Sequence, residues 1–105
     1  MDALMPSVPT LLVLQALEES PLHGYAIARW IEDESSGVLT MKEGTLYPVL
    51  HQLERKGLVV GEWVEMGRRT KVYRLTSSGR RQLVDSRQEW AIKAPAINRL
   101  VLREG

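Results

Sequence analysis

The sequence contains no cysteine. That excludes a disulfide framework, a thiolate metal site and a cysteine nucleophile, and it fits a reducing cytosol. Long apolar runs are missing as well. The longest, Leu11 to Leu14, is far short of the roughly 20 residues needed to span a bilayer. The first residues, Met1 to Pro6, lack the basic start and the cleavage site of a signal peptide. Histidine is scarce, with only His23 and His51, and a transition-metal site would need carboxylates at unfavourable spacing, so neither metal nor cofactor is expected. No serine stands in a nucleophile-elbow pattern, and no glycines form a phosphate-binding loop. These absences argue against an enzyme. His23, in a turn with nothing near it in sequence to tune its titration, reads as a residue that caps or bridges helices.

What is present is an ordinary globular chain of 105 residues, 44% hydrophobic and 26% charged. A chain of this length makes one domain with a modest core, so help from a second subunit is plausible. The net charge is only +1, but it is unevenly placed. Residues 1–65 carry 10 acids and 4 bases, and residues 66–105 carry 3 acids and 10 bases. Between Met66 and Val84 there are six bases (Arg68, Arg69, Lys71, Arg74, Arg80, Arg81) and no acid. Such a segment is either a solvated face or a phosphate-binding one, since binding depends on the face presented and not on the total charge.

Pro9 opens a run ending at Ser20-Pro21 that reads as a helix, apolar nearly all round and so in need of cover on more than one side. A second helix is expected over residues 24–34, then a turn at Ser35-Ser36-Gly37 and a short extended piece, Val38 to Thr40. The third helix runs about 43–56 and stops at Gly57. Leu46, Val49, Leu50 and Leu53 form its core stripe, and Thr45, Pro48, His51, Gln52 and Arg55 face away, with Tyr47 on the flank. Pro48 removes a backbone bond to Gly44. Residues 58–64 and 70–75 read as a β-hairpin with Gly67 in its loop. Thr76 or Ser77 caps a last helix that continues to about Leu102, with a kink at Pro95.

Helix, helix, helix, hairpin, helix is the order of a winged helix-turn-helix, mainly α in class (α+β), with an N-terminal helix and a long C-terminal helix. We expect residues 1–76 to form the DNA-binding part and residues 77–105 a dimerisation helix of the same structural unit. In that geometry the third helix enters the major groove of double-stranded DNA. Thr45, Pro48, His51, Gln52 and Arg55 would meet base edges, and Lys42 would stand at the helix start. Arg68 and Arg69 at the hairpin tip, with Lys71, would lie along phosphates or in the minor groove. The alternative is a winged-helix module for protein contacts that does not bind DNA, which leaves the arginine cluster without a purpose.

The residues that carry chemistry also carry a resemblance. Leu22-His23-Gly24-Tyr25, Glu43-Gly44-Thr45-Leu46-Tyr47-Pro48, Gly57-Leu58-Val59 and Gly67-Arg68-Arg69 through Tyr73-Arg74-Leu75-Thr76 make the chain similar to the PadR-like bacterial transcriptional regulators. The match spans about residues 8–100, and the single last helix is similar to the family's short branch. The resemblance implies a homodimeric repressor on a pseudo-palindromic operator, its dimer made by the first and last helices and its repression relieved by an effector. It also implies that Tyr47 and the wing bases contact phosphates, and that the protein works in the bacterial cytoplasm, at the nucleoid. One departure is Lys42, where the family often has a small polar cap. Thr40 could cap instead, because Thr40-Met41-Lys42-Glu43 fits a capping box.

In the last helix Leu83, Arg87, Trp90, Ala94, Ile97 and Val101 recur at coiled-coil-like spacing, interrupted by Arg87 and by Pro95. With Leu11 and Leu14 of the first helix, the apolar members of this seam are the expected dimer interface. Two roles for Trp90 remain open here. One is packing alone. The other is an aromatic pocket, with Arg87 and Ala94 beside it, for a flat apolar or aromatic effector, as in short-branch relatives that stack flat drugs on a tryptophan at the matching place.

Overall fold

The computed structural model describes residues 7–103. The expectations that concern residues 1–6 and 104–105, including the absent signal peptide, lie outside them. The chain folds as α1 (Val8–Ala16), β1 (Leu22–His23), α2 (Gly24–Glu34), α3 (Glu43–Arg55), β2 (Val59–Met66), β3 (Arg68–Leu75) and α4 (Ser77–Val101). Among the described residues, four helices and one antiparallel sheet of order β1-β3-β2 make the expected mixed fold, mainly α, with a β2–β3 wing.

Local chemistry explains most boundaries. Ser7 caps α1, with Pro9 in its first turn. The helix stops at Ala16, four residues short of the expected end near Ser20. The amides of Leu17 and Glu18 donate to the carbonyls of Leu14 and Gln15 at 3.2 and 3.1 Å, a tightened last turn that closes the helix. Glu18 then serves as an anchor for α4. Its carboxylate accepts from Arg87 at 2.7 Å, and its carbonyl accepts from Arg80 at 3.2 Å. Hydrogen bonds from the Gln15 and Arg87 side chains hold the Glu18 carboxyl below the usual glutamate range. His23 caps α2, its Nδ1 accepting from the Ala26 amide at 3.2 Å. Lys42 is the N-cap of α3, and its side chain makes no cap bond. The capping-box expectation for Thr40 is therefore corrected: the Lys42 carbonyl already accepts from Thr45 and Leu46, each at 2.9 Å.

Two extended segments exchange roles relative to expectation. Val38–Thr40 joins no strand; Ser36 and Gly37 turn the chain at φ 55° and 79°, and Ser35 Oγ accepts from the Leu39 amide at 3.0 Å. Leu22–His23 is the third strand instead, with Leu22 opposite Tyr73 and His23 opposite Val72. The wing is also tighter than expected. β2 and β3 pair from Val59↔Leu75 out to Met66↔Arg68, leaving only Gly67, at φ 78°, between them.

The core gathers Val13, Leu14, Leu17, Ile27, Ile31, Leu46, Leu50, Leu53, Val59, Tyr73, Leu75 and Leu83 from every helix and both wing strands. Each fully buried aliphatic among them contributes about 1.5–3 kcal/mol. Two expected dimer residues are corrected here. Leu14 is 0% exposed and Leu83 2% exposed inside the protomer, so neither has surface left for a partner.

Thr76 Oγ1 caps α4 by accepting from the Gly79 amide at 3.0 Å, and the helix runs on through Pro95. Its buried residues, Gly79, Leu83 and Ser86, all lie in its first half. The overhang draws the molecule out to 58 × 29 × 23 Å, with a radius of gyration of 15.2 Å. A compact chain of this length would have about 13 Å. Among the described residues, no helix is long and apolar enough to cross a membrane.

Candidate nucleic-acid interface

The α3 sequence places Leu46, Leu50 and Leu53 inward, which fixes what points out. Thr45, Pro48, His51, Gln52 and Arg55 are all exposed, and Tyr47 is half-buried. At roughly 100° per residue, Gly44, Pro48, His51 and Arg55 form the outermost line. The expected set divides along this line. Tyr47 and His51 flank the wing, whereas Thr45 and Gln52 lie on the other flank. Thr45 lines a hollow with Val8 and Leu12, and Gln52 lines another with Thr10, Leu11 and Gln82. Lys42 is exposed at the α3 N-terminus.

An open groove of about 790 Å³ runs between this flank, the N-terminus of α2 and one face of the wing. Tyr47, His51, Trp63, Arg68, Arg69, Lys71 and Tyr73 line it, together with His23 and Tyr25. Two glycines make the fit possible. A Cβ on Gly24 would stand 2.5 Å from the Tyr47 hydroxyl, so Gly24 lets that ring lie against the start of α2. A Cβ on Gly61 would overlap the Lys71 side chain. Burial raises the Tyr73 phenol above its usual range at the groove floor.

The basic run of the sequence is sorted by the fold. Lys71 does reach the groove, but its Nζ is bound to Glu54 Oε1 at 3.1 Å, so its charge is already matched. Arg74 pairs with Glu62 at 3.1 Å, on exposed side chains. Arg80 and Arg81 belong to α4, donating to the Glu18 carbonyl and to Ser78 Oγ. Among the described residues Arg68 and Arg69 form no ion pair, although Glu65 stands opposite Arg69 in the ladder. Arg69 lies over the Trp63 ring at 4.9 Å, with the Lys71 ammonium 5.9 Å from the same ring. Cation–π contact of this kind steadies a guanidinium without neutralising it. Trp63, His23, Tyr25 and Glu54 were not legible as site residues. Only the β2–β3 register, which places Trp63 opposite Lys71, brings Trp63 beside the basic side chains.

A separate apolar hollow of about 540 Å³ lies between α1, Leu39 and α4. Val8, Leu11, Leu12, Gln15, Leu39, Arg87 and Trp90 line it. Trp90 and Arg87 are thus together as expected, with Arg87 held to Glu18. Ala94, half-buried one turn on, is outside its lining. Trp90, Ile97 and Val101 are 40%, 39% and 72% exposed along the outer half of α4.

Residues 13–85 match the family described as the transcriptional regulator PadR-like family. The chain is 39% identical over 78 residues, 72% of its length and 69% of the relative's, to the transcriptional regulator Rv3488 of Mycobacterium tuberculosis. A transcriptional regulator from Clostridium thermocellum has a similar structure, with a TM-score of 0.81 and 30% identity over 90% of this chain and 92% of that one. The structure of Bacillus subtilis PadR in complex with operator DNA is similar at a TM-score of 0.70 and 28% identity, over 82% of this chain and 48% of that one.

Proposed function

Because this chain belongs to the PadR-like family, whose members are DNA-binding transcription regulators and not enzymes, we propose that it is a homodimeric, effector-responsive repressor of a pseudo-palindromic operator. Residues up to 76 bind the DNA, and residues from 77 onward pair the subunits. Such a protein works in the bacterial cytoplasm, at the nucleoid. The observation that carries this reading is that Tyr47 and the exposed His51 of α3 and the uncompensated wing arginines border one open groove. α3 then enters the major groove, with His51 and Arg55 reaching base edges, while Arg68 and Arg69 grip the flanking backbone.

Salt dependence tests the reading. Binding to duplex DNA is expected to weaken steeply as salt rises, because phosphate contacts release counterions. Arg68→Ala and Arg69→Ala should each weaken binding about equally on any sequence and lower the salt slope by about 1. An unchanged slope would remove the wing from the interface. Absent or salt-independent binding would favour the alternative, a winged helix used for protein contacts alone. Arg55→Ala should instead alter sequence preference. Gln52→Ala should do so less, because Gln52 sits on the α1 side of α3.

The apolar hollow at Trp90 suits a flat aromatic effector, which acts only by favouring one spacing of the two recognition helices over another. A coupling of about 1–3 kcal/mol would lower operator affinity several-fold to a hundredfold. Trp90→Ala should abolish quenching by a planar aromatic dye while leaving the emission of Trp30 and Trp63. A variant that still dimerises and is still quenched in full would place the effector elsewhere.

A further inference from the structure

Every free cation on a DNA-binding face strengthens the hold on phosphates, and every acid weakens it. The groove between α3 and the wing departs from this at one place. Glu54 of α3 sets its Oε1 3.1 Å from the Lys71 ammonium, and so cancels one groove-lining cation beside Arg68 and Arg69. The pair is no loose surface contact. The Lys71 and Glu54 side chains are 27% and 26% exposed, whereas every other ion pair among the described residues has both partners at least 39% exposed. Among those residues it is also the one ion pair that joins α3 to the wing.

The surroundings are built to hold this bond. Gly61, opposite Tyr73 in the ladder, leaves the space for it: a Cβ there would overlap Lys71 and lie 3.2 Å from Glu54 Oε2. The held ammonium lies 5.4 Å from the Tyr73 ring and 5.9 Å from the Trp63 ring, and the Arg69 guanidinium lies over the same Trp63 ring at 4.9 Å. A line of contacts therefore runs from Glu54 through Lys71 and Trp63 to Arg69. At its α3 end, Glu54 is next to Arg55 and three residues from His51, both on the exposed outer line. A free lysine would add affinity for any duplex. A tied lysine instead fixes the distance between the wing arginine and the base-facing side of α3.

Resting on the reading that α3 enters the major groove with the wing on the flanking backbone, we propose that Glu54 is a positioning residue that determines specificity. It forgoes the attraction of Lys71 for DNA and holds the wing at one distance from α3. Arg69 then meets a phosphate only when His51 and Arg55 lie against base edges in one register. Without the bond the wing reaches a phosphate in any register, and unrelated DNA is held nearly as well as the operator.

The test uses the full chain, a duplex selected from a random pool by the wild-type protein, and an unrelated duplex of equal length. Glu54→Ala frees the Lys71 charge. Affinity for the unrelated duplex should rise, and its salt slope should steepen by about 1. Preference for the selected duplex should nevertheless fall roughly tenfold. A double variant, Glu54→Ala with Lys71→Met, keeps the net charge of the wild-type pair, so the loss of preference expected in it comes from the lost bond and not from charge. The exchanged pair, Glu54→Lys with Lys71→Glu, should restore much of the preference. A merely structural bond would lower the thermal midpoint and both affinities together, leaving their ratio unchanged. That result, or undiminished preference in the double variant, would overturn the inference while leaving DNA binding intact. A wild-type protein that binds no duplex, or selects none, would overturn the reading of α3 and the wing itself.

Discussion

Gly79→Ala is expected to destabilise the fold by about 3 kcal/mol, at the upper end of overpacking costs. For a chain of this size that lowers the thermal midpoint by roughly 15 °C. A Cβ at Gly79 would overlap the Leu58 carbonyl oxygen, a backbone atom that cannot swing aside. That carbonyl accepts from the Thr76 amide at 3.1 Å, and the Leu58 amide donates to Leu53 at 2.9 Å. The α4 side is equally fixed. Thr76 Oγ1 donates to the Gly57 carbonyl at 2.7 Å and accepts from the Gly79 amide at 3.0 Å. The strain falls where the end of α3, the root of the wing and the start of α4 meet, so DNA binding should fall together with stability. Thermal unfolding by circular dichroism reads the effect. A midpoint within a few degrees of wild type would mean that this joint is looser than its hydrogen bonds imply. Gly44→Ala, with open space around it, is the matched control.

Removal of residues 85–105 should convert the protein to a monomer and lower operator affinity about a hundredfold or more. Two half-sites bound by one dimer act at a high effective concentration, and a monomer loses that advantage. Trp90, Ile97, Leu100, Val101 and Leu102 are 40%, 39%, 72%, 72% and 69% exposed on a helix half with little protomer contact. Apolar surface in such a cluster calls for cover. Deletion also removes the Arg87–Glu18 bond, so a full-length Ile97→Glu, Val101→Glu variant separates lost pairing from lost folding. Sedimentation should find both proteins monomeric. Footprints of the wild type should show two half-sites whose centres are about one helical turn, or a multiple of it, apart. A truncated chain that stays dimeric with unchanged affinity would remove α4 from the dimer.

The corrections share a cause. Leu14 and Leu83 read as interface residues because α1 is apolar all round and the α4 spacing is regular. Periodicity reports which positions are apolar, but not whether the cover comes from the same chain. α1 spends Val13, Leu14 and Ala16 on its own core and leaves Val8, Leu11 and Leu12 around the hollow. The Lys71 charge was legible, but its partner, Glu54, is 17 residues away in sequence and is brought to it only by docking the wing on α3.

Residue order alone determined the succession of helices and wing, the inward stripe of α3, a cap for α4 at Thr76 or Ser77, the glycine turns and the resemblance to the family. These rest on contacts within a few residues, where spacing and side-chain chemistry decide the outcome. Only the tertiary structure decided that Leu22–His23 and not Val38–Thr40 joins the sheet, because a strand needs a partner and β3 offers its free edge to the first segment. It likewise decided which bases remain uncompensated. Six consecutive charges of one sign in the sequence become two unpaired wing arginines, two ion-paired side chains and two α4 residues, because alternation along β3 and the docking of α4 send neighbouring side chains to different surfaces.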